Sequence, residues 1–231
     1  MAESIKTLLL FSLRFCVNCD KILLNIKNDK LLVAYIACFT RRIITMGRKN
    51  FGAKPYSYPQ PVWIIATYDE NGVPNAMNAA WGGISDAKEV SICLTPSHKT
   101  CKNFMQTGAF TISMADAAHV VACDYVGIDS GIKTPDKFEK AGFTATKSEF
   151  VNAPIINELA VCLECKVKSY NKKTCLLKGE IVNVSVDESA LVNGKVSLNK
   201  VAPICFDPFN NTYHVIGKKV GKAWGSGKEL M

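Results

Sequence analysis

The chain has 231 residues, with 28 Lys and Arg against 20 Asp and Glu, a formal charge of +8. Apolar residues make up 48% and charged residues 21%, globular proportions that exclude a disordered, collagen-like or coiled-coil chain. The longest apolar run, Leu31 to Phe39, has nine residues; a membrane-spanning helix needs roughly 18, so neither a membrane span nor a membrane partner is expected.

Residues 1–45 differ from the rest. They hold no Gly or Pro, and seven basic against three acidic residues. Arg14 cuts the first apolar run, so a secretory signal is a poor fit. Two Ser and three Arg are too few for a transit peptide. The expectation is an N-terminal extension over 1–45, either an appended helix-prone segment, translation from an upstream start, or an ordinary helical extension. The folded domain is then 46–231. That part carries 21 basic and 17 acidic residues, with no basic stripe interleaved with aromatics, so a nucleic-acid partner is not expected.

Pro61 to Tyr68 is rich in β-branched and aromatic residues and reads as a strand. Asn71-Gly72 is a strong hairpin signal, with Val73 to Trp81 returning as the partner strand until Gly82-Gly83 breaks it. Glu89 to Thr95 alternates like a half-buried strand. A helix follows, with Ser97 as N-cap, Cys101, Phe104 and Met105 as its buried face, and Gly108 just past its end. Ala109 to Met114 is a strand and Ala115 to Tyr125 a short helix. Thr134-Pro135 starts another helix. Leu159 to Tyr170 and Thr174 to Val186 form long strands around an Asn-Lys-Lys turn, and Val201 to Phe206 and Tyr213 to Ile216 add two more. This is a mainly β chain with short α insertions, an antiparallel barrel.

Ten cysteines do not make a small disulfide scaffold in a chain of this size. The pairs Cys16/Cys19 and Cys162/Cys165 are far apart in sequence, and residues i and i+3 of a strand face opposite ways. No metal site is expected. Most cysteines are expected to be reduced, buried small hydrophobes, which implies a reducing, cytoplasmic setting.

Pro96-Ser97-His98-Lys99-Thr100 sits between a strand and a helix. Free amides and the helix dipole there suit an anion, with the Ser97 and Thr100 hydroxyls and the His98 and Lys99 side chains beside them. The plainer alternative is a helix cap and a surface lysine. Met77-Asn78-Ala79-Ala80-Trp81 sets small residues beside an Asn and a Trp, as a flat ring requires; core packing explains it equally. Neither a Walker loop nor a dinucleotide fingerprint is present.

Taken together and in order, six stretches resemble the flavin reductase-like family of FMN-binding split barrels, and its flavoredoxin-type branch in particular. They are Pro61–Thr67, Asn75–Trp81, Thr95–Thr100, the run Asp124–Gly127 with Asp129–Gly131 and Asp136–Phe138, Lys178–Ile181, and Tyr213–Gly217. The resemblance implies a six-stranded FMN-binding split β-barrel, a homodimer, and one FMN per subunit near the interface. By analogy Met77, Asn78, Ala79 and Trp81 meet the ring and ribityl chain. Thr95, Ser97, His98, Lys99 and Thr100 hold the phosphate and its surroundings. Ser130, Gly131 and Lys133 match a further segment, with Lys137 as the other candidate for the cation beside the flavin. Phe206, Phe209 and Tyr213 fall where relatives place aromatic residues near the ring, with core packing the plainer reading of all three. The Asp-His that many relatives carry is replaced by Lys173-Thr174, so no histidine role in nicotinamide handling carries over. The implied activity is an FMN-dependent oxidoreductase, passing electrons from NAD(P)H to a flavin, ferric or redox-protein acceptor. The alternative is a flavoredoxin-type carrier without its own NAD(P)H site.

Overall fold

Strand β1 is Gln60–Pro61, and β2, Trp63–Tyr68, has five of its six residues buried. Trp63 and Ile65 enter one apolar core, and Val62, Ile64 and Ala66 enter another on the opposite side. A strand covered on both faces has no polar side to show, so the run reads as continuously apolar rather than alternating. The computed structural model describes residues 48–231. The expectations for residues 1–45, for Cys16/Cys19 and for a start at Met46 lie outside the described residues. One compact unit runs from Pro55 to Met231.

The remaining strands of the main sheet are β3 (Pro74–Ala79), β4 (Gly82–Asp86), β5 (Glu89–Cys93) and β6 (Ala109–Met114). Small strands β7 (Ala145–Lys147) and β8 (Pro154–Ile156) pair with each other. The long hairpin strands are β9 (Val161–Asn171) and β10 (Leu176–Val186). The main sheet has seven strands in the order β3-β2-β6-β9-β10-β5-β4, one more than the six implied by resemblance, and every pairing in it is antiparallel. It curls around an inner core of Trp63, Met77, Ile92, Phe104, Phe110 and Leu177 and stays open between β3 and β4, which makes a split barrel. Beyond it lie β11 (Leu191–Val192) and β12 (Lys195–Val196), while β13 (Ile204–Asp207) and β14 (Thr212–Val215) pair alongside β1.

Helix α1 is Lys99–Thr107, α2 Val120–Ile128, α3 Lys137–Lys140 and α4 Leu198–Val201. Val126 of α2 and Phe138 of α3 cover the outer face of β2 with Ile156 and Ile204.

Several local expectations hold. Gly72 turns the β2–β3 hairpin at φ +76°, its N–H donating to Asp69 O at 3.0 Å. Gly108 ends α1 at φ +70°, its N–H donating to Phe104 O, as a left-handed cap requires. Three local expectations need correction. Gly82-Gly83 opens β4 instead of breaking a strand; a Cβ on Gly82 would lie 2.7 Å from the Trp63 ring, so the glycine is there to admit the indole. The N-cap of α1 is His98, with no side-chain cap, and not Ser97. Met105 is exposed, and the buried face of α1 is Thr100, Cys101, Asn103 and Phe104. Two of those four are polar because they bond across to the sheet. Asn103 Nδ2 donates to Thr67 Oγ1 at 3.1 Å, and Thr100 Oγ1 accepts from Asn75 Nδ2 at 2.8 Å.

Gly179 sits at a register shift in the β9–β10 pairing. A Cβ there would meet the Phe110 ring at 2.4 Å, in a core packed too tightly to yield at no cost. The Gly179→Ala protein is therefore expected to lose about 1–3 kcal/mol of stability, read as a lowered midpoint in urea. An unchanged midpoint would contradict this packing.

Candidate functional site

A cavity of about 240 Å³ opens between the first turn of α1, strand β3 and the loop joining α2 to α3. Three stretches far apart in sequence line it, around Asn75–Asn78, Ser97–Thr100, and Val126–Gly131 with Lys137.

The α1 side supplies donors. As at any helix start, the first amides have no intrahelical acceptor, and neither Lys99 N nor Thr100 N reaches another backbone acceptor among the described residues. Lys99 Nζ pairs with Asp69 Oδ2 at 3.2 Å, both side chains largely covered. His98 lies on the rim; partial desolvation of its ring and the nearby Lys137 charge hold its pKa below the usual value.

Lys137 is the central group. It is only 3% exposed. Its Nζ donates to Val126 O and to Asp129 O, each at 2.9 Å, so it closes the carbonyl end of α2, where a cation is favoured. An ammonium has three protons, and no protein acceptor for the third exists among the described residues. Burial lowers its pKa to about 8, against the pull of Asp129 and with the push of Lys99. Asp129 itself is held below the usual carboxylate range by bonds from Thr134, Tyr125 and Ser130 N.

Two further contacts fix the wall. Asn75 is buried, and its Oδ1 has no partner, while a Cβ on Gly131 would lie 2.1 Å from that oxygen. With glycine there the loop closes over β3 without displacing the Asn75 amide. Asn78 Nδ2 donates to Cys123 O at 3.2 Å, and a Cβ on Gly127 would lie 2.8 Å from Asn78 Cβ.

Of the residues singled out from sequence, Met77, Asn78, Ser97, His98, Lys99, Thr100, Ser130 and Lys137 line this cavity, and Gly131 with them. Ala79, Trp81, Thr95 and Lys133 do not. Ala79 is buried in the inner core and Thr95 is exposed. Trp81 is 59% exposed, neither a buried anchor nor part of the cavity wall. Lys133 is exposed, so of the two lysines it is Lys137 that faces the cavity. Phe206 and Tyr213 pack on the outer core, and Phe209 stacks on Tyr58 with ring centroids 5.0 Å apart. Asn75 escaped sequence reasoning because a lone Asn in a strand carries no signal; the bond to Thr100 and the contact with Gly131 mark it. Among the described residues no group of three or more His, Cys, Asp or Glu is placed to hold a metal, and no helix is long and apolar enough to cross a membrane.

The flavin reductase like domain family matches residues 56–202. The flavoredoxin of Desulfovibrio vulgaris (Miyazaki F) is 36% identical and superposes with a TM-score of 0.75, covering 78% of this chain and 100% of its own. The flavoredoxin of Methanosarcina acetivorans is 26% identical with a TM-score of 0.72, over 80% and 100%. Nitrilotriacetate monooxygenase component B of Bacillus cereus, at 19% identity and a TM-score of 0.63 over 76% and 100%, shares the fold. A protein of Aquifex aeolicus is 26% identical over 156 residues, 63% of this chain and 79% of its own. By the extent of the family match and by its split-barrel fold, this chain belongs to the flavin reductase-like domain family.

Proposed function

We propose that this chain binds FMN in the α1–α3 cavity and acts as an oxidoreductase, passing electrons from NAD(P)H to a flavin, ferric or protein acceptor. The observation that carries the reading is Lys137, a buried ammonium with a proton to spare. Burying such a charge is costly unless an anion pairs with it, and the phosphate of FMN is one. The free amides at the start of α1 and the Lys99 side chain supply further donors. The orphaned Asn75 Oδ1 needs a donor, which the ribityl hydroxyls possess. FMN supplies the hydride and electron chemistry when bound; the chain's own residues hold it, orient it and place positive charge near it. Homodimerisation fits the exposed Trp81 and Ile84 at the β4 edge, and a soluble redox protein is the partner such a site would serve.

The second reading is a flavoredoxin-type electron carrier with no NAD(P)H site of its own. Similarity to flavoredoxins along their whole length favours it.

Replacing Lys137 by Met is expected to weaken FMN binding about tenfold or more, the loss of a charge-assisted contact. Circular dichroism serves as the check that the fold is intact. Lys137 carries its charge below about pH 8 and loses it above, so FMN affinity falls as pH rises through that region in the native protein and stays flat there in Lys137→Met. Unchanged affinity in the variant would remove the phosphate from this corner. Anaerobic addition of NADH or NADPH to the FMN-loaded protein separates the two functions. Rapid bleaching supports the oxidoreductase; no bleaching, with reduction by dithionite intact, leaves the carrier.

A further inference from the structure

A second cavity, of about 350 Å³, adjoins the α1–α3 cavity. Lys99 and Gly131 line both, so they form the wall between the two. A Cβ on Gly131 would lie 3.3 Å from Lys99 Cδ; the lysine stem therefore runs over the glycine along that wall. Its Nζ ends 3.2 Å from Asp69 Oδ2, and Asp69 lines the second cavity but not the first. The pair is anchored at both ends. Lys99 is the first residue of α1, and Asp69 Oδ1 accepts from Asn71 N at 3.0 Å and Val73 N at 2.9 Å.

Beyond the wall the second cavity follows one face of α1. Lys99, Lys102, Asn103 and Gln106 line it, the i, i+3, i+4, i+7 spacing of one helix stripe. Gln106 Nε2 donates to Glu70 Oε2 at 3.2 Å, which sets an amide and a carboxylate at one side. Ile132 and Pro135 give the other side an apolar surface, with Ile132 half-exposed. An apolar surface facing a few hydrogen-bonding groups, with the Lys102 cation beside them, is the chemistry of a slot for a nucleotide base and its phosphate.

We propose that the Lys99–Asp69 pair is a partition that restricts the site to a flavin monophosphate and excludes a flavin dinucleotide such as FAD, whose adenylate half would have to lie in the second cavity. The inference rests on the reading of the first cavity as an FMN site. The exclusion has two parts. The Lys99 stem lies across the way from one cavity to the other. Asp69 then presents a carboxylate to the second phosphate of the diphosphate bridge, a like charge. FMN ends before the wall and meets neither obstacle. An obstacle placed against the longer ligand separates two ligands that share a common half, where added contacts to that half would strengthen both equally.

The test uses the full chain, with the dissociation constants of FMN and of FAD measured by calorimetry at neutral pH. FMN is expected to bind at least about tenfold more tightly than FAD. Asp69→Asn removes the charge and keeps the side-chain oxygen that accepts from Asn71 N and Val73 N, and circular dichroism checks that the fold is intact. The FAD-to-FMN ratio of dissociation constants is expected to fall about threefold or more in this variant, chiefly through tighter FAD. Ile132→Glu, at a residue that lines only the second cavity, places a carboxylate in the adenylate slot; added to Asp69→Asn, it is expected to restore the native ratio. Equal affinities in the native chain, an unchanged ratio in Asp69→Asn, or a gain in FAD affinity that survives Ile132→Glu would overturn the partition while leaving the FMN site standing. Binding of neither flavin by the native chain would overturn the FMN site, and the partition with it.

Discussion

The Lys137 ammonium is taken out of water at the end of α2, and its surroundings account for much of the local design. Two carbonyls, Val126 O and Asp129 O, take two of its protons. That fastens the loop after α2 to the start of α3 and pulls Ser130-Gly131 over β3. The loop can come so close because Gly131 has no side chain to strike Asn75. Asn75 in turn is held by Thr100, which joins the loop to the first turn of α1. One buried cation, one glycine and one amide thus bring the positive end of a helix and a lysine to the same cavity. Asp69 pairs with Lys99 and Asp129 draws on Lys137, while the third Lys137 proton and the first amides of α1 keep no protein acceptor among the described residues. An anionic ligand completes such a site; an apolar one leaves the charge unanswered.

The barrel holds this corner still. β2 is buried on both faces, and its neighbours β3 and β6 clamp it from either side. The loop of Asp69 and Gly72 that follows β2 also carries the carboxylate that pairs with Lys99. Asp69 Oδ1 accepts from Asn71 N and Val73 N, so the partner of Lys99 is itself fixed by the hairpin turn. Elsewhere in the sheet, Glu89 bridges Lys168 and Lys178 across the adjacent strands β5, β10 and β9. Those two pairs, with the Ser85 hydroxyl, hold its pKa down at about 2.

Much of the fold was legible in the sequence because local signals agreed with the global arrangement. Asn71-Gly72 turned where its chemistry required, Gly108 ended α1, and the alternation of β9 and β10 marked the long hairpin. The failures have physical causes. Gly82-Gly83 looked like a strand break, but glycine also serves where a ring packs on a strand, and only the third dimension shows Trp63 lying there. Ser97 has a capping side chain, yet the helix starts one residue later. Met105 had the right spacing for a core position, but polar Thr100 and Asn103 took the buried face because Asn75 and Thr67 offered them partners. At the site, the strand-to-helix segment and Lys137 were readable from residue type and spacing. Asn75 was not, since its importance lies in what folds against it. Ala79, Trp81, Thr95 and Lys133 share motifs with lining residues but lie away from the cavity, Ala79 in the inner core and the other three exposed.

The account rests on the cavity recognising a phosphate and not merely a flat ring. The direct measurement is a pair of titrations by fluorescence quenching at neutral pH, one with FMN and one with riboflavin, which lacks the phosphate. FMN binding at micromolar or tighter levels, with riboflavin at least about tenfold weaker, is the predicted result. Equal affinities, or no binding of either, would contradict it.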